Sequence, residues 1–595
     1  MSGDPTSSID RKVRPPIGAD DAAAHEEHRL DRSAHAAIAR LSGGFSPMGL
    51  AEAWLDWAMH LSASPQRLGE IAHAGGKEVL RLAMLSAGAV ATRGVCVPCE
   101  RALPYDKRFR DPRWQQWPFA IYASNLLAWE RWWDEATRDI HGATPHHLEL
   151  LNFVGRQYLD TLSPSNFAAT NPEVLDAIRQ TGGRNLVEGA VLAAKDAQRT
   201  LSHQRPESAE QYVPGLNVAV TPGRVVHRTP LAEIIQYAPV TGKVHPEPLV
   251  IVPAWIMKYY ILDLAPQSSL VRHLTEQGFT VFMVSWKNPG PEDRETGFDD
   301  YRRHGVMAAL DAATTITGAR KVHSIGYCIG GTLLSVAAAA MARDGDDRLA
   351  SLTLFTAQTD FEEAGELRTF IDESQLALLD DMMVEKGVLE GSQMAGSFHL
   401  LRSNDLIWSK VIRRYLLGRD EPMDEMAAWS TDATRMPARM HSEYLRAFYL
   451  NNDLAEGRFR AGGGSVDLGD IRVPVFAVGT EADYVAPWRS AFRLHRLVES
   501  DVTFVLANRG HNQGIISPPG AEGRYFRIGT SRATGNHVDA EQWLARHERQ
   551  EGSWWPAWFA WLEARSGAKV APPPLGRPEA GFAATDVAPG RFVHG

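Results

Sequence analysis

Three residues whose side chains form nucleophilic catalytic sites occur in order in the C-terminal half of the sequence. Cys328 lies in the run Gly-Tyr-Cys-Ile-Gly-Gly at residues 326–331, and Asp483 and His511 follow it, each shortly after an apolar stretch. A thiol nucleophile, a histidine that accepts its proton and a carboxylate that orients the histidine form a catalytic triad. We therefore predict that these residues transfer an acyl group through a covalent intermediate.

The residues around Cys328 also predict the local structure. An apolar and β-branched run at 321–325 enters the motif, and an Ala-rich stretch at 333–341, typical of a helix, leaves it. A nucleophile on a sharp turn between a strand and a helix is the elbow of the α/β-hydrolase fold. Small residues at 326 and 330 are needed because strand and helix pass closely beside this strained turn.

The positions of Asp483 and His511 agree with this fold, in which the nucleophile, acid and base follow strand ends in that chain order. Asp483 follows a strand predicted at 473–478, and His511 follows one predicted at 502–506. Two other carboxylates remain alternatives for the acid, Glu481 beside Asp483 and Asp360 after an earlier strand.

The oxyanion that forms on the substrate during acyl transfer needs two preorganised N–H donors. The first is predicted at the backbone amide of Ile329, the residue after the nucleophile. The second is predicted in the turn after the strand that ends at Ala254, near Trp255 or Ile256, and we assign it to Ile256.

A cysteine nucleophile changes the chemistry expected of this fold. A thiolate that attacks a thioester forms another thioester, so the acyl group stays activated. A serine would instead form an oxygen ester, which is a poorer acyl donor. The sequence therefore favours an enzyme that holds an acyl chain on Cys328 and passes it to an alcohol.

Short apolar runs separated by helical stretches predict a mostly parallel sheet covered by helices on both faces. The strands are predicted at 225–227, 234–237, 249–254, 279–285, 321–325, 352–356, 473–478 and 502–506. The sixth and seventh of these are much farther apart than the dozen or so residues that a crossover needs. We therefore predict a helical cap inserted at about 360–465, with the glycines at 462–464 as its flexible return.

The length of 595 residues exceeds what one compact core accommodates, so we predict two domains. Residues 1–28 are polar and charged, which favours a disordered tail. Residues 29–210 are predicted to form a mainly helical N-terminal domain, and 211–595 the α/β domain with its cap. No internal repeat is visible.

An aromatic-rich segment stands out in the N-terminal domain. Its rings either form a helical core or leave a partly exposed apolar face for a partner chain or a hydrophobic particle. The residues are Trp114, Trp117, Phe119, Tyr122, Trp129, Trp132 and Trp133.

Composition excludes several other classes. The net charge of −10 argues against general nucleic-acid binding. The first residues do not resemble a signal peptide, and no run of about 18 apolar residues predicts a membrane span. Three cysteines favour a reducing cytosol. Cys96 and Cys99 form a lone C-x-x-C without the second pair that a structural zinc site needs, so we interpret them as reduced thiols and predict no metal or cofactor.

Taken together, these motifs resemble those of polyhydroxyalkanoate synthases, in particular the class I, poly(3-hydroxybutyrate)-type polymerases. The resemblance covers roughly residues 30–565. Besides 326–331, it rests on the residues at 45–47, 55–57, 219–223, 251–264, 404–408, 440–446 and 554–556.

The resemblance implies polymerisation of (R)-3-hydroxyacyl-coenzyme A, with 3-hydroxybutyryl-coenzyme A the expected substrate and coenzyme A a product rather than a cofactor. Cys328 would carry the chain, His511 would activate the thiol, and His511 or Asp483 would assist the 3-hydroxyl of the next unit. It also implies a homodimer on the surface of cytoplasmic polymer granules, with residues 29–210 serving the association.

The sequence departs from the family pattern beside the triad. Tyr484 stands where the family often has His, Ala254 and Met257 replace Pro and Asn, and Asn512 follows His511 in place of an aliphatic residue. No triad member is lost, so these departures bear on rate and substrate choice.

Two other functions fit the same residues. A Cys-type acyl-coenzyme A thioesterase or depolymerase would use the same triad but give the acyl group to water. A granule-coating protein would need no chemistry at all, and the complete triad argues against it. The product, polymer or free hydroxyacid, distinguishes the first alternative from a synthase.

Overall fold

A computed structural model describes residues 29–42, 44–91, 106–202, 204–535 and 537–595. The predicted disordered tail at 1–28 and the C-x-x-C of Cys96 and Cys99 lie outside these residues. The helices are α1 (Arg29–Leu41), α2 (Pro47–Ser62), α3 (Pro65–Ala91), α4 (Phe119–Ala136), α5 (Pro145–Thr161), α6 (Pro172–Thr181), α7 (Arg184–Leu201), α8 (Leu270–Glu276), α9 (Phe298–Tyr301), α10 (Ala308–Thr317), α11 (Ile329–Arg343), α12 (Glu373–Lys386), α13 (Gly391–Leu401), α14 (Glu425–Trp429), α15 (Ala438–Tyr444), α16 (Trp488–Phe492), α17 (Ala540–Arg546) and α18 (Trp555–Glu563).

One large mixed sheet forms the core of the C-terminal half. Its strands are β1 (Gly223–Arg228), β2 (Ala232–Tyr237), β3 (Leu249–Val252), β4 (Val281–Trp286), β5 (Val322–Tyr327), β6 (Leu349–Phe355), β7 (Val475–Thr480), β8 (Val502–Ala507), β9 (Tyr525–Ser531) and β10 (Gln550–Glu551). They are ordered β1-β2-β4-β3-β5-β6-β7-β8-β9-β10. The strands from β4 to β8 in this order are parallel, and antiparallel strands close both edges.

The parallel strands form because their residues are apolar on both faces. Every residue of β3, β4, β5, β7 and β8 is buried, as expected for a sheet that helices cover on both sides. The carboxyl ends of these strands meet at one edge of the sheet, and the segments that follow β5, β7 and β8 carry the three predicted triad residues. The predicted α/β-hydrolase class, with a helical cap and a helical N-terminal region, is confirmed.

The cap lies between β6 and β7 and contains α12, α13, α14 and α15, together with wide helical turns such as Leu445–Leu450. The glycines at 462–464, which we predicted as the flexible return of the cap to the core, lie in a short hairpin. Gly462 and Gly463 adopt positive φ angles and turn a short hairpin between Arg460–Ala461 and Gly464–Ser465.

The N-terminal helices form small cores of their own and contact the cap from outside. Helix α1 packs on α12, where His35 Nδ1 lies 2.7 Å from Asp381 Oδ2. The aromatic segment supports both interpretations, because Trp114 is buried whereas Trp117, Tyr122 and Trp129 are exposed. No helix within the described residues is long and apolar enough to cross a membrane.

Candidate active site

Cys328 lies on a strained turn between β5 and α11. Its φ of 54° and ψ of −130° lie outside the regions that L-residues favour. The turn is held because the Cys328 amide donates to Phe355 O at 2.9 Å, and the Cys328 carbonyl accepts from Gly331 N at 2.8 Å. The thiol is therefore presented, part-buried, at the N-terminus of α11.

Three positions of the elbow require glycine because neighbouring atoms leave no room for a Cβ. A Cβ at Gly326 would lie 2.4 Å from the Cα of Gly331, and one at Gly330 would lie 2.4 Å from Val252 O. A Cβ at Gly331 would meet Ala357 at 2.5 Å. Because real Cβ atoms do not approach neighbours this closely, the motif is a packing requirement of the elbow.

The segments after β7 and β8 bring Asp483 and His511 together. The Nδ1 atom of His511 lies 2.7 Å from Asp483 Oδ2, and the Cys328 side chain is close enough to His511 to raise the pKa of its imidazole. The two loops are joined directly, since the Ala482 amide donates to Arg509 O at 2.9 Å. The three side chains predicted from sequence are thus in one connected chain of contacts.

The two alternative acids have other partners. Glu481 accepts a hydrogen bond from the Tyr525 hydroxyl at 2.7 Å. Asp360 lies 2.9 Å from the Arg493 guanidinium and accepts from Asn452 at 3.0 Å. The contact between His511 and a carboxylate is therefore made by Asp483.

The charge state of His511 follows from its surroundings. Burial lowers the pKa of His511, but the Asp483 carboxylate and the Cys328 side chain raise it by more than burial lowers it. The net pKa therefore lies well above 6.5. His511 is therefore held protonated at neutral pH between an anionic carboxylate and the nucleophile.

The Cys328 side chain lines a small cavity of about 60 Å³ beneath the cap. Ile329 and Ile256, predicted to supply the oxyanion donors, both line this cavity. The turn that holds Ile256 is fixed to the cap, because the Thr434 amide donates to Ile256 O at 3.0 Å. A volume of this size holds only a few water-sized groups.

Sequence reasoning missed several residues of this cavity. His441 was not among the predicted site residues, yet it lines the cavity together with Tyr444 and Tyr449. The spacing 441, 444, 445 and 449 places side chains on one helical face, and this signal could have found them. Thr356, at the end of β6, also lines the cavity and was not singled out.

Two departures from the family pattern have structural roles. The Arg402 guanidinium of the cap lies over the Tyr484 ring, 4.7 Å from its centroid, so Tyr484 links the acid loop to the cap. The side chain of Asn512 accepts a hydrogen bond from the Tyr327 hydroxyl, which ties the histidine loop to the residue before the nucleophile. In the part of the chain that the structure describes, no group of three or more His, Cys, Asp or Glu side chains could hold a metal ion.

Comparison with known proteins identifies the family. Models described as "Poly-beta-hydroxybutyrate polymerase N terminal", "Poly-beta-hydroxybutyrate polymerase (PhaC) N-terminus" and "alpha/beta hydrolase fold" match residues 25–67, 105–274 and 247–518. The poly(3-hydroxyalkanoate) polymerase of Methylorubrum extorquens is 42% identical over 480 residues, which are 80% of this chain and 79% of the relative.

A second relative covers more of the chain. The poly(3-hydroxyalkanoate) polymerase subunit PhaC of Cupriavidus necator is 36% identical over 550 residues, 91% of this chain and 90% of its own. Among solved structures, a monoacylglycerol lipase from Paleococcus ferrophilus is 13% identical and covers 48% of this chain and 96% of its own, with a TM-score of 0.30. With relatives at this identity over four fifths or more of its length, the chain belongs to the poly(3-hydroxyalkanoate) polymerase family.

Proposed function

We propose that this protein is a class I polyhydroxyalkanoate synthase, an acyltransferase that polymerises (R)-3-hydroxyacyl-coenzyme A and releases coenzyme A. The observation that carries the proposal is that His511 contacts Asp483 and interacts with Cys328, whose side chain lines a small cavity beneath the cap. Family membership supplies the substrate class.

In the proposed first half-reaction, the sulfur of Cys328 attacks the thioester carbonyl of the substrate. The negative charge that develops on the carbonyl oxygen is stabilised by the amides of Ile329 and Ile256. The carbon–sulfur bond to coenzyme A then breaks, and the leaving thiolate takes the proton held on His511. The products are an acyl–Cys328 thioester, free coenzyme A and neutral His511.

In the second half-reaction, neutral His511 removes the proton from a 3-hydroxyl group as its oxygen attacks the carbonyl of the acyl–Cys328 thioester. An ester bond forms, the bond to Cys328 breaks, and the sulfur regains its negative charge opposite protonated His511. Asp483 keeps His511 oriented through both steps and balances its charge.

The cavity supports transfer to a hydroxyl group rather than to water. Residues of the cap form part of its lining, which is mainly apolar and includes Leu367, Ile371 and Leu445. Its small volume favours a short acyl unit, in line with the 3-hydroxybutyryl group. The homodimer and the cytoplasmic granule surface belong to the same proposal.

The test incubates purified protein with (R)-3-hydroxybutyryl-coenzyme A and measures both the release of thiol and the formation of insoluble polymer. We expect both, and expect Cys328→Ala to lower both by at least about 10³-fold, because removal of a triad nucleophile has effects of this size. A Cys96→Ser/Cys99→Ser variant serves as the matched thiol control and should stay active.

The outcome also separates the alternatives. Thiol release that yields only free 3-hydroxybutyrate would make the protein a thioesterase. Polymer synthesis that persists in a folded Cys328→Ala variant would overturn the role of the nucleophile.

A further inference from the structure

Two buried polar side chains of the cavity have no role in the steps above. Thr356 comes from the core, directly after β6, and His441 comes from the cap helix α15. Both line the cavity that contains Cys328. Within the described residues, neither Thr356 Oγ1 nor His441 Nδ1 has a hydrogen-bond partner. A buried polar atom left unpaired costs free energy, so each calls for an explanation.

Thr356 is held in a conformation that costs energy. Its φ is 44°, which is unusual for a β-branched residue, and its side chain is fully buried. The backbone is fixed there because the Thr356 amide donates to Val478 O at 2.7 Å, and the preceding residue, Phe355, accepts the amide of Cys328. Strain of this kind concentrates where a structure positions a group for function.

His441 lines the same cavity as the nucleophile and comes from the cap. It is 3% exposed, and burial lowers its pKa to about 4, so its imidazole is neutral at pH 7. A neutral imidazole has one nitrogen that donates and one that accepts. The threonine hydroxyl likewise donates and accepts.

The other polar side chains of the lining are already paired. The Thr332 hydroxyl donates to Gln358 O at 2.7 Å, and the Gln358 amide donates to Ser490 Oγ at 3.1 Å. Neither the Tyr444 hydroxyl nor the Tyr449 hydroxyl is among the buried atoms without a partner in the described part of the chain, and the two rings lie 5.6 Å apart. The unpaired groups therefore come from the core and from the cap, are uncharged, and each both donates and accepts.

These properties match an alcohol better than an anion or a cation. We propose that Thr356 and His441 form a hydroxyl-binding subsite that holds the 3-hydroxyl group of the acyl unit attached to Cys328. The inference rests on the proposed function. The volume of about 60 Å³ supports it, because a group attached to Cys328 in so small a space lies near both walls.

The consequence is selection for hydroxylated acyl groups. A site built to hydrogen-bond a hydroxyl strongly rejects the analogue that lacks it, since the buried polar atoms of the protein then stay unpaired. Butyryl-coenzyme A is this analogue, because it has the same chain length and no hydroxyl.

The experiment compares single-turnover acylation of Cys328 by (R)-3-hydroxybutyryl-coenzyme A and by butyryl-coenzyme A, measured by intact-protein mass spectrometry. We expect the wild-type protein to favour the hydroxylated substrate by about 100-fold or more. Thr356→Val and His441→Phe should each reduce this preference by at least about tenfold, because acylation by the hydroxylated substrate should slow more than acylation by butyryl-coenzyme A.

Matched variants distinguish recognition of the hydroxyl group from a general structural effect of the substitution. Thr356→Ser keeps the hydroxyl and His441→Gln keeps a donor and an acceptor, so both should retain most of the preference. The subsite is overturned if Thr356→Val and His441→Phe leave the preference unchanged, or if they slow both substrates equally. A wild-type protein that neither thioester acylates would overturn the proposed function instead. Thermal unfolding verifies that each variant is folded.

Discussion

The carboxylate of Asp483 is fully buried, yet both of its oxygens are occupied. The Oδ1 atom accepts from the amides of Val485 and Ala486 at 2.9 and 2.8 Å. The Oδ2 atom accepts from the Thr480 hydroxyl at 3.3 Å and lies 2.7 Å from His511 Nδ1. Hydrogen bonds to a charged acceptor are strong, so the loop both fixes this carboxylate and stabilises its charge.

Asp483→Asn should therefore remove the charge but keep most of the shape. We expect kcat/KM to fall by about 10³–10⁴-fold, as when the acid of a comparable triad is replaced by its amide. The pKa of His511 should fall as well, because burial remains and the carboxylate charge is lost. NMR titration of the His511 ring would measure this shift.

The same variant tests a pH dependence of stability. Because the folded protein raises the pKa of His511, the stabilisation it provides is complete below the unfolded value of about 6.5 and is lost as pH rises through the folded value. The melting temperature of the wild-type protein should therefore exceed that of Asp483→Asn most at pH 6 and progressively less at alkaline pH. A difference that does not vary with pH would contradict the ion pair.

Glu481→Gln is the matched control, because it neutralises the neighbouring carboxylate, which is hydrogen-bonded to Tyr525. We expect it to stay within about threefold of wild-type activity, since most changes away from the reacting groups have small effects. A large loss in this variant would mean that the wrong acid has been assigned.

At the scale of elements, the elbow depends on how closely α11 passes the ends of β3 and β5. A Cβ at Gly330 would lie 2.4 Å from Val252 O and 2.5 Å from Pro253 O, and both atoms belong to backbone that the sheet holds. To relieve this steric clash, α11 would have to move away from the sheet. That movement would displace the Ile329 amide from the cavity.

Gly330→Ala should consequently destabilise the fold by about 1–3 kcal/mol and lower the acylation rate. Gly69→Ala in α3 is the control, since no other heavy atom lies within 4 Å of its added Cβ. That change should raise helix stability by up to about 1 kcal/mol. Melting temperatures that move in the same direction for both variants would contradict the packing argument.

The sequence predicted the buried strands well, because continuous apolar runs such as 249–252 and 502–506 are typical of strands that are buried on both faces of a sheet. Strand β9 was missed because its alternating, half-exposed residues lack such a run, and its pairing with β8 comes from tertiary contacts. The hairpin at 460–465 was missed for a different reason: consecutive glycines permit both a flexible linker and a tight turn.

Prediction of the site from the sequence was also limited by contacts that only the folded chain makes. Chain order after strand ends predicted Asp483 and His511 as partners of Cys328 and left Glu481 and Asp360 as alternatives for the acid, and the contact with His511 in the structure is made by Asp483. Thr356 gave no signal of its own, and the helical spacing that includes His441 does not show which part of the core that helical face covers. Contacts between segments far apart in sequence are set by tertiary packing and cannot be read from local pattern.

At the scale of the molecule, the cap is held between the core and the N-terminal helices. On its outer side α12 contacts α1, and the Arg414 guanidinium, in the turn Val411–Leu416, donates to Asp196 of α7 at 3.0 Å. On its inner side Arg402 stacks on Tyr484. Any contact that moves the N-terminal helices therefore acts on the cap that closes the cavity.

The N-terminal helices also expose several large apolar side chains to solvent. On α3, Leu80 and Met84 are each 61% exposed and lie one helical turn apart. Trp54, Leu55 and Met59 of α2 and Trp129 of α4 are exposed as well. Apolar surface of this kind is typical of a contact with a partner or a hydrophobic particle.

If these residues contact the polyester surface, Leu80→Glu/Met84→Glu should weaken binding to poly(3-hydroxybutyrate) particles by at least about tenfold, since each buried aliphatic side chain contributes about 1.5–3 kcal/mol. Release of coenzyme A from soluble substrate should be unchanged at early times, because neither residue lines the cavity. The control is Lys195→Glu on exposed α7, which changes the net charge by the same amount without removing apolar surface. Co-sedimentation measures the binding. Equal loss in both variants would show that charge, not apolar contact, controls the association, and no loss in either would place the granule contact elsewhere on the chain.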